Sequence, residues 1–171
     1  MPGMPTGCTM AAPVHTEDPA MFKNILLATD GSAASEHAAE LAVALAGKSH
    51  ARLTALYVID PYPYLGVGEA SAVGFQAYMG NAYEHAAQAH AKIAALCAQS
   101  DANVDLQLRR GEDASAAENI VRTAVEEDVD LIVVGSHGRT GISRLMLGSV
   151  ASRVVAASPV PVLVARQPPA R

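Results

Sequence analysis

The residues best equipped for chemistry crowd into one stretch, Gly135-Ser136-His137-Gly138-Arg139-Thr140-Gly141, with an echo at Gly148-Ser149. Glycines let backbone N–H groups come close to an anion, and a helix start adds unpaired donors and a favourable dipole. The stretch follows the apolar run Leu131-Ile132-Val133-Val134 and leads into a helix-like segment, residues 150–157. A strand, a Gly/Ser/Thr loop carrying one arginine, and a helix start together make a phosphate pocket. The expected ligand is a nucleotide.

The common phosphate motifs do not account for this loop. No Gly-x4-Gly-Lys-Ser/Thr is present, and the near-dinucleotide pattern Gly66-Val67-Gly68-Glu69-Ala70-Ser71 follows Pro/Tyr residues instead of a strand. That segment reads as a lid. What remains is the spacing Gly135-x2-Gly138-x9-Gly148-Ser149. Each glycine also has a plain reading as a turn, and Arg139 one as a solvated charge. Ser149 reads as a helix N-cap whose hydroxyl or N–H also meets phosphate. Asp30 caps a helix, borders the nucleotide, or does both. His137 is either a plain loop residue or a neighbour of the phosphates. His85 and His90, five apart, do not share a helix face as a metal pair would, and His37 and His50 are expected at the surface. Neither His-Glu-x-x-His nor Gly-x-Ser-x-Gly occurs, so no catalytic residue and no protein-borne metal centre is assigned.

The elements that must position these residues alternate. Strands are expected at residues 22–29, 52–59, 104–108, 130–134 and 160–164. Helices are expected from Ser32 to a stop at Gly47, then at 77–99, 115–127 and 150–157, with residues 60–74 as a loop. In the 115–127 helix, Ile120, Val121, Ala124 and Val125 are expected to face inward. Alternating strands and helices imply a parallel sheet covered on both faces. In such sheets ligands sit beyond the carboxyl ends of the strands, where the order reverses. If the first and fourth strands are neighbours there, Asp30 and the glycine loop share one crevice.

Composition narrows the class. The 171 residues suit one domain, half are apolar, and the formal charge of −5 argues against a nucleic-acid protein held by phosphate contacts. Cys8 and Cys97 form no Cys-x-x-Cys, which suits a reduced cytoplasmic setting. No apolar run is long enough to span a membrane, and the first residues lack the basic head and apolar core of a secretory signal. Residues 1–20, with four prolines, read as a flexible tail; residues 21–167 read as the domain and 168–171 as a short C-terminal tail.

The segments "ILLATDGSAAS", "LYVID", "LIVVGSHGRTGISRLMLGSVASRVV" and "SPVPVLVAR" together resemble the ATP-binding branch of the universal stress protein family over nearly all of residues 22–166. The resemblance implies a Rossmann-like, doubly wound three-layer α/β/α fold with five parallel strands in the order 3-2-1-4-5. It implies that Ala28 and Thr29 lie along the adenosine, Asp30 beside the ribose and phosphates, and Val58 against the adenine through its backbone. Gly135, Gly138 and Arg139 match positions lining the phosphates, and Gly148, Ser149 and Val150 match the helix start that holds them. It further implies ATP as ligand with Mg²⁺ as its partner, a regulatory role in a stress response through an unnamed protein partner, and a homodimer paired through Val160-Pro161-Val162-Leu163-Val164. A slow ATPase or phosphotransferase, or a nucleotide-free interaction module, are the competing functions.

Overall fold

The computed structural model describes residues 21–61, 71–138 and 147–166. Five strands, β1 (Asn24–Thr29), β2 (Arg52–Ile59), β3 (Asp105–Glu112), β4 (Leu131–Gly135) and β5 (Val162–Ala165), form one sheet in the order β3-β2-β1-β4-β5. Every neighbouring pair is parallel, with Ile25 opposite Leu53 on one side and Leu131 on the other. The helices α1 (Ala33–Ser49), α2 (Ser71–Gln99), α3 (Ala116–Glu126) and α4 (Ser149–Ala157) connect them. Because successive strand side chains point to opposite faces, the central strands must be apolar throughout. Ile25, Leu27, Leu53, Ala55, Leu131 and Val133 pack with α1 and Ile93 of α2. Leu26, Leu56, Ile132 and Val134 pack instead with Ile120, Ala124, Ala151 and Val154 of α3 and α4. The chain runs outward from β1 to β3 and then crosses to the other side of β1, which places the reversal of strand order between β1 and β4.

Several element limits differ from those expected, each for a physical reason. Gly47 is not the stop of α1: the helix runs to Ser49, and His50 ends it in a left-handed conformation (φ 51°) with its N–H on Ala46 O. Gly47 is there for space, since a Cβ at that position would lie 2.6 Å from Ala102 Cβ. Helix α2 begins at Ser71, six residues before the expected start at 77, so residues 71–74 are not loop. Strand β3 runs on to Glu112, and Gly111 near its end meets the Asn119 side chain so closely that a Cβ has no room. Val125 does not face inward but is 61% exposed, because the buried stripe of α3 runs through Ala117, Ile120 and Ala124. The last strand starts at Val162, two residues late, with Pro161 contributing only its carbonyl to Ile132 N (3.0 Å). Among the described residues no helix is long and apolar enough to cross a membrane.

Candidate functional site

A cleft of about 720 Å³ opens at the carboxyl ends of β1, β2 and β4. That volume is typical of a small-molecule site. Its floor is apolar, with Leu56, Ile120, Val134 and Ala151, and polar groups gather at its rim.

The turn after β1 forms the first part of the rim. Ser32 N donates to Asp30 Oδ1 (3.0 Å), and Ser32 Oγ caps α1 by accepting from Ser35 N (3.3 Å). Beneath, Thr29 Oγ1 donates to Ser35 Oγ (3.2 Å) and accepts from Gly31 N (3.3 Å). Gly31 sits at φ +76°, a conformation L side chains avoid, and this lets the chain turn into the helix within two residues. The Asp30 carboxylate is thereby held at the mouth of the cleft.

The loop after β4 forms the second part. Gly135 passes α1 at backbone contact: a Cβ there would lie 3.0 Å from the Ala34 carbonyl carbon and oxygen. At Gly138 a Cβ would lie 3.0 Å from Asp30 Oδ2, so the two rims meet at this point. Ser136 is buried and pins the loop on both sides. Its N–H donates to Ala165 O of β5 (2.7 Å), and its carbonyl accepts from Gly148 N (2.8 Å). Ser136 Oγ and His137 Nδ1 share a 2.9 Å hydrogen bond, and His137 lines the cleft.

The start of α4 is the third part. Its N-cap is Gly148, not Ser149, and among the described residues it has no side-chain cap bond; Ser149 is the first helical residue. A Cβ at Gly148 would approach Ser136 O at 3.1 Å, which is why the helix start can lie so close to the loop.

The cleft therefore gathers Ala28, Thr29, Asp30, Val58, Gly135, Gly138, Gly148, Ser149 and Val150 from four separate segments. Arg139 lies outside the described residues, as do Thr140, Gly141 and residues 66–70 of the near-dinucleotide pattern. Sequence reasoning missed a fourth wall, formed by Tyr78, Asn81, Ala82 and His85 of α2. The signal was their three-and-four spacing along one helix face. Tyr78 OH donates to Asp60 O (2.8 Å) and ties this wall to the end of β2.

Other titratable groups lie apart from the cleft lining. His90 is buried on α2, its ring edge-on to Tyr57, with Nε2 lacking a hydrogen-bond partner. Burial, and secondarily the charge of Arg110, pull its pKa below the ordinary imidazole value. Among the described residues no group of three or more His, Cys, Asp and Glu side chains is placed to hold a metal ion.

A doubly wound Rossmann-like sheet with a ligand-sized cleft at its switch point defines the class. The chain belongs to the universal stress protein family, whose sequence profile it matches over residues 21–166. It is 37% identical over 147 residues to a universal stress protein of Thermus aquaticus, covering 85% of this chain and all (100%) of that one. A universal stress protein structure from Lactobacillus plantarum is 30% identical, with a TM-score of 0.76, over 84% of this chain and 97% of the other. A more distant universal stress protein, crystallised in complex with cAMP, shares the fold at 23% identity and a TM-score of 0.57, over 85% of this chain and 97% of that one.

Proposed function

We propose that this protein binds ATP, carried with Mg²⁺, in the cleft between β1 and β4, and acts in the cytoplasm as a regulatory protein of a stress response. The observation that carries the reading is the meeting of three glycine-based approaches on one cleft: Gly135 against α1, Gly138 against Asp30, and Gly148 against Ser136. Each brings backbone closer to its neighbour than a side chain would allow, and the third opens a helix whose N-cap makes no side-chain cap bond. The complex with cAMP shows that a protein of this fold can take an adenine nucleotide; the residues that would do so in this chain are its own.

The residues fit the ligand. Ala28 and Thr29 would lie along the adenosine and Val58 would meet the adenine, next to the apolar floor. Gly135, Gly138, Gly148, Ser149 and Val150 would enclose the phosphates, with Arg139 adding charge from the loop. Mg²⁺ is commonly held by one or two carboxylates together with phosphate oxygens and water. Asp30, a carboxylate at the phosphate end, suits that donor set, and the ion would neutralise phosphate charge beside it. Ser136 bonds to both Gly148 and Ala165, so a shift of the loop on binding would reach the edge strand β5, through which the homodimer is proposed to pair, and would alter the surface offered to a protein partner.

Isothermal titration calorimetry with Mg-ATP tests the reading. Saturable binding at micromolar to low millimolar nucleotide is expected, and its absence at millimolar ATP refutes it. Gly138→Val, which thrusts a branched side chain toward Asp30, is expected to abolish binding in a folded protein.

A further inference from the structure

We propose that the α2 wall of the nucleotide site takes part in recognition, with the His85 imidazole donating a hydrogen bond to the anionic end of the ligand. The inference rests on the nucleotide reading above and adds a recognition element outside the glycine loop. Tyr78, Ala82 and His85 follow one face of α2 and line the cleft. Four residues beyond His85 on that face is Ala89, whose Cβ lies 3.5 Å from where a Cβ at Gly31 would stand. His85 is therefore stacked one helical turn from the Asp30-Gly31 turn, toward the mouth. Asp30 in turn lies against Gly138, at the phosphate end of the cleft.

The chemistry of that corner calls for a donor. Asp30 is anionic, and a polyphosphate brought beside it needs N–H groups on the opposite side as well as a cation. A neutral imidazole always carries one N–H, whichever nitrogen holds it. His85 is solvent-exposed and makes no hydrogen bond to another described side chain or backbone group, so its ring is available to a ligand. Asn81, one turn further out on the same face, adds an amide at the rim. The ligand class this wall selects is nucleoside di- and triphosphates over nucleosides.

The test compares Mg-ATP, Mg-ADP and adenosine binding by calorimetry in the full chain and in His85→Ala, His85→Gln and Glu84→Ala. A hydrogen bond to a charged group is worth enough that His85→Ala should weaken ATP about 10-fold. Adenosine affinity should stay within about twofold, His85→Gln should recover most of the loss, and Glu84→Ala should match the parent. Unchanged ATP affinity in His85→Ala overturns the proposal, as does an equal loss for adenosine. If the parent binds no ATP, the nucleotide reading itself falls; if it binds and His85→Ala is indifferent, only the α2 wall is lost. Thermal melts of the variants separate a binding loss from misfolding.

Discussion

Replacing Gly135 with alanine tests the claim that this glycine is required for space. Its added Cβ would lie 3.0 Å from both the carbonyl carbon and oxygen of Ala34 and 3.1 Å from Ser35 N. All three are backbone atoms of the first turn of α1, which the Ser32 cap and the Thr29–Ser35 bond hold in place. On the other side Gly135 is paired with Ala165 of β5. Neither neighbour can yield by rotating a side chain. Overpacking of this kind costs about 1–3 kcal/mol. Stiffening the unfolded chain offsets about 0.4–1 kcal/mol of that. The expected net loss is about 1–2 kcal/mol. In a domain of this size that lowers Tm by about 2–8 °C. Urea denaturation should show a lower midpoint with an unchanged slope. Gly138→Ala is the matched control, because among the described residues its Cβ meets a side-chain carboxylate, Asp30 Oδ2 at 3.0 Å, and no backbone atom. Its stability should stay within about 0.5 kcal/mol of the parent, while ATP affinity falls. Equal stability of Gly135→Ala and the parent would refute the packing argument, as would equal destabilisation by both substitutions.

Three further outcomes follow from local contacts. Gly47→Ala should destabilise despite the roughly 1 kcal/mol that alanine favours a helix over glycine, because the new methyl lies 2.6 Å from Ala102 Cβ; adding Ala102→Gly should restore stability in denaturation. His90 should make the fold acid-sensitive: the unfolded chain takes up a proton near pH 6.5 that burial and Arg110 resist in the folded one. Stability should therefore fall as pH drops through 6.5, and His90→Phe should flatten the profile between pH 7.5 and 5.5; an unchanged slope excludes His90 as the cause. In a Cys8→Ser background, Cys97 should alkylate more slowly when native than when unfolded, because burial raises its thiol pKa, and equal rates at pH 8 would contradict this.

The strands and their order were legible because buried parallel strands leave little choice of residue. Ile25-Leu26-Leu27 and Leu131-Ile132-Val133-Val134 must be apolar on both faces, and they read so without any structure. Glycine was the weak point, since one residue type serves two purposes. At Gly31 it supplies a positive φ, which sequence reasoning handles as a turn. At Gly47 and Gly111 it supplies space for Ala102 and Asn119, neighbours that only the packed fold reveals. Gly74 and Gly80 serve neither purpose, because a Cβ at either would meet nothing within 4 Å. Both sit in the first part of α2, and Gly74 ended the stretch expected as loop. The start of α2 was misplaced for that reason; the wall of Tyr78, Asn81, Ala82 and His85 lay inside the expected helix, but only the packed fold shows that this face borders the cleft.

The site divides along the same line. Its β1 and β4 contributions follow from strand ends, and strand ends are marked by where apolar runs stop. The α4 contribution was misplaced by one residue, and the shift carries chemical meaning. A serine at the cap position would use its hydroxyl to accept from the first-turn N–H groups. With Gly148 there instead, no side chain does so, while Ser152 N bonds back to Gly148 O and begins the helix. Ser149, Val150 and Ala151, whose N–H groups precede that bond, line the cleft, and Gly148 N holds the helix start to Ser136 O. Among the described residues that start has no side-chain cap; in the proposed complex a phosphate oxygen would accept from these first-turn donors, as an anion does at a helix N-terminus.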